Sequence, residues 1–288
     1  MTSNENNSDN WDLVIRSKHS LFDLNLKDLW RYRDLIFLFV RRDFVATYKQ
    51  TILGPLWHFI QPVFTTAMFL LVFTKIANVP TDGIEPVLFY MSGITMWNYF
   101  SSCLTGASNT FLSNANIFGK VYFPRLVSPI STVISNLIQF GIQFLLLLIV
   151  MVWFGIFKNV EIQISWTWIL VLPILAVMAG LGLGLGIIIS SLTTKYRDLK
   201  VLIGFGVQLL MYATPVAYPL SFLMGKSYKW LLTINPLTPL MEAFRFALFH
   251  RGTFNMLTLA YSISFMLVAF FLGLLIFSKV ERSFMDTV

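Results

Sequence analysis

Six long stretches of the sequence contain no Asp, Glu, Lys or Arg, and this pattern limits the possible folds more than any other feature. Each has at least 25 residues, and they cover 50–74, 86–119, 126–157, 162–194, 201–225 and 252–278. A helix needs about 20 apolar residues to cross about 30 Å of hydrocarbon. Backbone groups in lipid need partners within their own segment, and the stretches lack the alternation of β-barrel strands. The sequence therefore predicts an all-α integral membrane protein with six transmembrane helices, the first ending near Thr74 and the others at about 87–108, 127–154, 168–191, 201–217 and 256–278.

The basic residues predict the orientation of these spans. Only 12% of all residues are charged, against about 25% in a soluble domain. If the N-terminus is inside, 15 of the 21 Lys and Arg residues fall on the cytoplasmic side. Because cytoplasmic loops carry such an excess, we expect both termini to be cytoplasmic. Basic residues scattered around apolar segments do not indicate nucleic-acid binding.

Residues 1–50 form a polar region before the first span, and we expect no cleaved signal peptide in it. Apolar side chains recur there at helical spacing, at Leu29, Tyr32, Ile36, Val40 and Phe44. This spacing predicts an amphipathic helix along the inner headgroup layer. Three cations are candidates for binding a lipid pyrophosphate: Arg41, Arg42 and Lys49. A role in topology and in attracting anionic lipid explains them equally well.

The second span is unusually polar and aromatic for a helix that only lipid surrounds. Tyr and Trp combine an apolar surface with a polar tip, which suits the apolar face and hydroxyl rim of a sugar ring. The candidates for a substrate channel are Tyr90, Trp97 and Phe100 of this span and Tyr212 of the fifth. Close helix packing through Gly and Ser explains the same composition. In the fourth span, alternate glycines from Gly180 to Gly186 also predict close packing, since no strand precedes them as a dinucleotide site requires.

Two segments between spans are irregular. The first, from Asn114 to Pro129, mixes amides, aromatic rings and the cations Lys120 and Arg125, so we expect it at the inner membrane face, where another protein can push on it. The second, residues 218–251, contains an apolar run that is too short to cross the membrane and is broken at Asn235-Pro236. It predicts re-entrant helices that form an outer gate, or alternatively an interfacial surface loop.

Enzyme chemistry is not indicated. The sequence shows no pattern of a catalytic triad, carboxylate pair or metal cluster, so we predict no catalytic residue, metal site or cofactor in this chain. The nearest match to a phosphate-binding loop is Gly225-Lys226-Ser227, but Leu220 stands where such a loop needs glycine. Any ATP, with its Mg²⁺, is expected on a separate subunit.

Several short motifs follow one another along the chain. They are Tyr48-Lys49-Gln50 with Leu53-Gly54, Trp57 and Gln61-Pro62; Asn114 with Lys120-Val-Tyr-Phe-Pro-Arg125 and Pro129; Tyr196-Arg-Asp198; Thr214-Pro215-Val216 with Tyr218-Pro219; Asn235-Pro236 with Phe244-Arg245; and Glu281 with Phe284-Met-Asp286. In this order, on a six-span frame, they resemble the permease subunit of type-2 ABC exporters of lipid-linked polysaccharide, such as O-antigen, capsule or teichoic acid. The resemblance extends from about Leu29 to Asp286.

The resemblance implies an exporter in the bacterial inner membrane, built from a homodimer of this chain and two copies of an ABC ATPase subunit. It implies a coupling helix at about 112–125 that contacts the ATPase through Asn116, Lys120, Tyr122, Phe123, Pro124 and Arg125. It places the outer gate at Pro215, Tyr218, Asn235 and Pro236. The chain then divides into a cytoplasmic region at 1–50, a transmembrane domain at 51–279 and a cytoplasmic tail at 280–288.

The alternatives to this function are a small-molecule permease, an ion-coupled transporter and a membrane enzyme. A type-2 ABC permease for small lipids or drugs has the same frame. An ion-coupled transporter would need ionisable residues in mid-span, and the six stretches contain no Asp, Glu, Lys or Arg. A membrane enzyme acting on lipid-linked sugars would have to use Asp198, Glu242 and their neighbours.

Overall fold

The computed structural model describes residues 26–49, 54–121, 123–160, 165–194, 196, 198–223 and 229–284. These residues form α-helices and no strand, which confirms the all-α prediction for the described part of the chain. The helices are α1 (Leu26–Arg31), α2 (Arg33–Tyr48), α3 (Trp57–Phe69), α4 (Pro86–Ser108), α5 (Thr110–Phe118), α6 (Val127–Lys158), α7 (Val171–Thr193), α8 (Leu199–Tyr212), α9 (Lys229–Ile234), α10 (Leu237–Phe249) and α11 (Met256–Phe284). A π-helical segment, Leu70–Ile76, continues α3, and 3₁₀ turns lie at Gly54–Leu56, Trp166–Leu170 and Leu220–Leu223. Residues 1–25 and 50 of the predicted 1–50 region, Tyr122, the Gly225-Lys226-Ser227 segment and the last four residues of the predicted tail lie outside the described residues.

Within the described residues, four helical segments are long and apolar enough to cross a membrane: Trp57–Ile76, Val127–Lys158, Trp166–Thr193 and Met256–Val280. They correspond to the first, third, fourth and sixth predicted spans. The second predicted span is α4, which has 23 residues but is less apolar. The fifth is α8, whose 14 residues are fewer than the about 20 needed to cross. Six crossings therefore stay a prediction.

Helix α4 lies at the centre of the bundle. It packs against α3, α6, α7 and α10, and 16 of its 23 residues are buried. Four of its Ser and Thr hydroxyls bond within the helix; Thr95 Oγ1, for example, donates to the Met91 carbonyl at 2.8 Å. Asn98 reaches α6, where its Nδ2 donates to Gln143 Oε1 at 3.2 Å. Because protein surrounds α4, the helix tolerates polar side chains that a lipid-facing helix would not.

The glycines of α7 allow two helices to approach it on different sides. A Cβ at Gly182 would lie 2.7 Å from Cys103 Cβ of α4, and one at Gly184 would lie 2.8 Å from the Phe270 backbone nitrogen of α11. Gly186 repeats the first contact and Gly180 the second, four residues away in each case. The glycines predicted to allow close packing therefore form two pairs, each with a four-residue spacing. Gly182 and Gly186 face α4, and Gly180 and Gly184 face α11.

Helix α2 packs one side against the end of the bundle. Phe39 is buried there, and Tyr32 and Ile36 pack beside it. Phe44 is 40% exposed. Four residues turn an α-helix roughly 40° past a full turn, so three such steps from Tyr32 carry Phe44 roughly 120° away from the side that packs on the bundle. The position of the predicted apolar face along the headgroup layer stays a prediction.

The segment predicted as the gate contains two short helices rather than one surface loop. α9 ends at Ile234 and α10 begins at Leu237, so the break falls at Asn235-Pro236 as the sequence indicates. α10 is largely buried and packs against α4, α7, α11 and the Trp166–Leu170 turn. Among the described residues of the segment predicted for coupling, the helix covers Thr110–Phe118, directly after α4, and the chain continues as turns and bends up to α6.

Candidate functional site

A buried ion pair on α10 is the centre of the first candidate site. Glu242 and Arg245 are each 1% exposed, and Arg245 Nη1 lies 3.4 Å from Glu242 Oε1. Burial lowers the pKa of the Arg245 guanidinium, and the Glu242 carboxylate opposes that shift. A charge that is buried to this extent needs several partners, because the free energy lost when it is removed from water exceeds the free energy that one contact provides.

Arg245 obtains those partners from two other segments. Its Nη2 donates to the Val216 carbonyl at 2.9 Å, in the chain that follows α8. Its Cζ lies 3.7 Å from the centre of the Phe89 ring on α4, a cation–π contact. A Cβ at Gly93 would lie 2.9 Å from Nη2, so α4 can pass this close only with glycine there.

Glu242 joins two further loops to α10. Its Oε2 accepts from the Thr253 backbone nitrogen at 3.1 Å, ahead of α11. Its Oε1 accepts from the Leu220 backbone nitrogen at 3.4 Å. Gly252 approaches the same carboxylate with φ +104, a conformation that favours glycine. We call these residues the polar cluster: Gly93, Val216, Leu220, Glu242, Arg245 and Thr253.

The predicted gate residues lie around this polar cluster. Asn235 Nδ2 donates to the Ala213 carbonyl at 2.8 Å and to Thr214 Oγ1 at 2.9 Å, while its Oδ1 accepts from the Leu237 nitrogen at 2.9 Å. One amide therefore fixes the end of α8 and the start of α10.

The remaining gate residues make local contacts. The Tyr218 hydroxyl, whose pKa burial raises, donates to the Tyr212 carbonyl at 2.6 Å. The Pro236 carbonyl accepts from Ser262 of α11 at 2.7 Å. Pro215 is buried within the turn after α8. The structure thus brings all four predicted gate residues to the same part of the molecule.

The predicted channel residues divide into two groups. Tyr90, Trp97 and Phe100 of α4 are at most 5% exposed, inside the core of this chain. Tyr90 OH lies 3.0 Å from Thr74 Oγ1, and its ring packs against Phe69. Tyr212, at the end of α8, is 56% exposed. In this conformation Tyr212 is the one of the four whose ring a substrate can contact, while the α4 rings hold their helix in the bundle.

The second candidate site is a cluster of aromatic rings at the other end of α4. Phe39 of α2 meets Phe123 edge-on at 5.6 Å between centroids, and Phe123 lies 5.6 Å from Phe118 of α5. Phe111 connects Phe118 at 6.1 Å to Phe277 of α11, which stacks on it at 4.7 Å. We call these five rings the aromatic cluster. It is a continuous contact path from the predicted coupling segment to the last span.

The other predicted coupling residues lie around this path. Arg125 is 5% exposed, with its Cζ 5.4 Å from the Phe118 ring. Asn116 and Lys120 are exposed on α5 and just after it. Pro124 begins the turn before α6, where its carbonyl accepts from the Val127 nitrogen at 3.0 Å. The segment therefore has an exposed polar side and a side that packs into the aromatic cluster.

The three predicted pyrophosphate ligands line one shallow groove on α2, together with Leu38, Val45 and Ala46. We call it the cationic groove. Within it, Arg42 is paired with Asp43, with 2.8 Å between Nη2 and Oδ1. Arg41 and Lys49 are exposed and line the groove beside it. The grouping suits an anionic headgroup, as the sequence predicts.

Comparison with known protein families now identifies this frame. The model of the ABC-2 type transporter family matches residues 34–249, which run from α2 to the end of α10. The chain belongs to the ABC-2 type transporter family. The matched region contains both the polar cluster and the aromatic cluster, apart from Thr253 and Phe277.

Curated relatives carry a common name. Two proteins of Klebsiella pneumoniae named O-antigen export system permease protein RfbA are each 29% identical over 255 residues, covering 88% of this chain and 94% of theirs. A protein of Myxococcus xanthus with the same name is 26% identical over 223 residues, covering 76% of this chain and 82% of its own. Together with the four apolar helices, these similarities make the chain a multi-pass membrane protein of the ABC-2 permease type.

Sequence reasoning missed the pairing of Glu242 with Arg245 in this ABC-2 permease. Both residues were noticed singly, one as an acid near the interface and the other as part of a motif. The available signal was their i, i+3 spacing in an otherwise apolar segment, which places two side chains on one helix face. Their partners at Val216 and Phe89 are too far away in sequence to be inferred from spacing.

Proposed function

We propose that the chain is the transmembrane permease subunit of an ATP-driven ABC exporter. Its substrate would be a lipid-linked, O-antigen-like polysaccharide, moved from the cytoplasmic to the outer side of the bacterial inner membrane. The observation that carries the proposal is the near full-length similarity to proteins named as O-antigen export permeases. The chain's own geometry supports it, because α4 runs between an exposed coupling segment and a pair of short helices suited to a gate.

In the proposed topology the chain crosses the membrane six times, with both termini in the cytoplasm. α4 is the second crossing, sheltered by its neighbours. α8 is the fifth, extended by the buried turns at 213–217. The apolar side chains of α8 remain exposed in the single chain, with Val201, Phe205 and Leu209 at 77%, 60% and 52%. A homodimer would cover part of this surface and place the two α8 helices beside a shared conduit.

Energy would come from two copies of an ABC ATPase that hold ATP and Mg²⁺. The exposed side of α5, with Asn116 and Lys120, would contact the ATPase. Phe123 would pass its movement through the aromatic cluster to α2 and α11. Rigid rings in direct contact suit this role, because close-packed interiors transmit displacement.

The path of the substrate would begin at the cationic groove and end at the gate. Its lipid pyrophosphate would bind Arg41, Arg42 and Lys49, and its sugars would pass along exposed rings such as Tyr212. The gate helices α9 and α10 would move away from α8 by breaking the contacts of Asn235. A ring that stacks on a sugar face without a tight pocket lets a polymer slide.

The test is reconstitution of the permease with its ATPase in vesicles, followed by ATP hydrolysis with and without lipid-linked glycan. We expect glycan to stimulate hydrolysis and Phe123→Ala to abolish that stimulation while basal hydrolysis persists. Trp153→Ala is the matched control, since that ring is 49% exposed on α6, outside both clusters. Stimulation by small lipids or drugs but not by glycan would overturn the substrate assignment in favour of the small-molecule permease. Equal stimulation in Phe123→Ala and the parent protein would refute the coupling role.

A further inference from the structure

A cavity of about 440 Å³ lies between α2, the end of α4, α5 and the first turns of α6. Its polar lining includes Arg42, Asp43, Asn109, Ser113 and Thr132. The cavity shares Arg42 with the cationic groove, but the space itself has no role described above. It differs from the neighbouring cationic groove, whose lining contains Arg41, Arg42 and Lys49 but no acid.

The two charges of the cavity are held in fixed positions. Arg42 forms two contacts with Asp43 Oδ1, at 2.9 Å from Nε and 2.8 Å from Nη2. Its Cζ also lies 4.3 Å from the centre of the buried Phe39 ring. A guanidinium that is stacked and paired in this way loses little further freedom when it binds a ligand. The cavity therefore presents a cation and an anion side by side.

This charge pattern selects among ligands. A purely anionic group in this cavity would be repelled by the Asp43 carboxylate, because the cavity lining contains Arg42 but neither Arg41 nor Lys49 of the cationic groove. A group with a phosphate next to a primary ammonium matches both charges, and the ammonium offers three hydrogen-bond donors. The Asn109 amide and the Ser113 and Thr132 hydroxyls supply further polar contacts at the cavity wall.

The outer side of α2 indicates that such a group is attached to a lipid. Phe37, Leu38 and Val45 are 66%, 58% and 43% exposed on the helix that carries Arg42 and Asp43. Acyl chains would cover these apolar side chains while a headgroup entered the cavity. A free phosphoethanolamine would leave them in water.

We propose that this cavity binds the headgroup of a phospholipid with a primary ammonium, of the phosphatidylethanolamine type. The phosphate accepts hydrogen bonds from Arg42, and the ammonium donates to Asp43. Because Arg42 stacks on Phe39, whose ring meets Phe123, the bound lipid contacts the helix against which the coupling segment packs. The inference concerns lipid binding by the chain itself and does not rest on the proposed substrate.

The experiment is native mass spectrometry of the detergent-purified full chain, titrated with short-chain lipids of equal acyl length. We expect phosphatidylethanolamine to bind about tenfold more tightly than phosphatidylcholine or phosphatidylglycerol. Those two lipids lack the primary ammonium and would therefore lose one charge-assisted hydrogen bond, which accounts for a difference of this size. Ethanolamine headgroups with one or two N-methyl groups should bind with intermediate affinity, and the affinity should decrease with each added methyl group. Soluble glycerophosphoethanolamine at the same concentration should not compete.

Two pairs of variants locate the site. Asp43→Asn should remove the preference for the ammonium, and Arg42→Gln should weaken binding of all three lipids. Asp34→Asn and Arg33→Gln are matched controls on the same helix that line neither the cavity nor the cationic groove, and they should bind as the parent protein does. Equal binding of the three lipids by the parent protein would mean annular lipid only and would overturn the proposal. So would an unchanged headgroup preference in Asp43→Asn.

Discussion

Replacing Glu242 by Gln would remove the carboxylate from an Arg245 guanidinium that is 1% exposed. Breaking a buried ion pair by neutralising one partner costs about 3–5 kcal/mol, because the other charge is left without compensation. The Val216 carbonyl and the Phe89 ring would still contact the guanidinium. Gln also keeps one oxygen that can accept from the Thr253 nitrogen. We therefore expect a loss at the lower limit, about 3 kcal/mol.

The free energy of unfolding can be measured by SDS titration in mixed micelles, with tryptophan fluorescence as the signal. The double variant Glu242→Gln with Arg245→Met removes both charges, so it should be about 1–2 kcal/mol more stable than Glu242→Gln alone. Glu85→Gln is the matched control. Its carboxylate lies 3.6 Å from Lys158, whose side chain is 54% exposed, and an exposed pair contributes at most about 1 kcal/mol. If Glu242→Gln and Glu85→Gln lose the same stability, the buried pair does not hold α10 in place.

Three further results are expected. Gly93→Ala should lower the free energy of unfolding by about 1–3 kcal/mol, because its Cβ would lie 2.9 Å from Arg245 Nη2. The control Gly141→Ala, whose Cβ would meet nothing within 4 Å, should leave the free energy of unfolding unchanged. Equal losses for both variants in the same SDS titration would contradict the close approach. Asn235→Ala should cost about 1–3 kcal/mol by leaving buried backbone groups without partners and should raise protease accessibility of the chain after α8; an unchanged cleavage rate would count against its role as a tie. Tyr212→Ala should slow glycan export in reconstituted vesicles while Tyr212→Phe preserves it, and equal export rates for both would exclude the ring as a contact.

Much of this architecture follows from the sequence because lipid imposes a simple rule on composition. Residues 126–157 had to be one long apolar helix, and α6 extends from Val127 to Lys158. The break at Asn235-Pro236 was also predictable, since Pro236 cannot continue α9 and the Asn235 side chain can bond to nearby backbone.

The interior was less predictable, because burial by protein and burial by lipid select different residues. The aromatic rings of α4 suggested a channel lining, yet Trp97 and Phe100 pack against each other with 5.7 Å between centroids and are nearly inaccessible. A helix at the centre of a bundle and a helix beside a conduit have the same mixed composition. Distinguishing them requires knowing which side of α4 faces α6 and α7, and that depends on contacts distant in sequence.

The central position of α4 has a consequence for biogenesis. Its main neighbours α6 and α7 are synthesised after it, so for several seconds of translation the helix has no permanent shelter. Asn98 meets Gln143 only once α6 has been inserted. A helix with so many hydroxyl and amide groups is retained poorly by lipid alone. If α4 is the second crossing, as proposed, we expect the insertion machinery to retain it until the later helices arrive, and we expect assembly to be most easily interrupted at the middle of this chain.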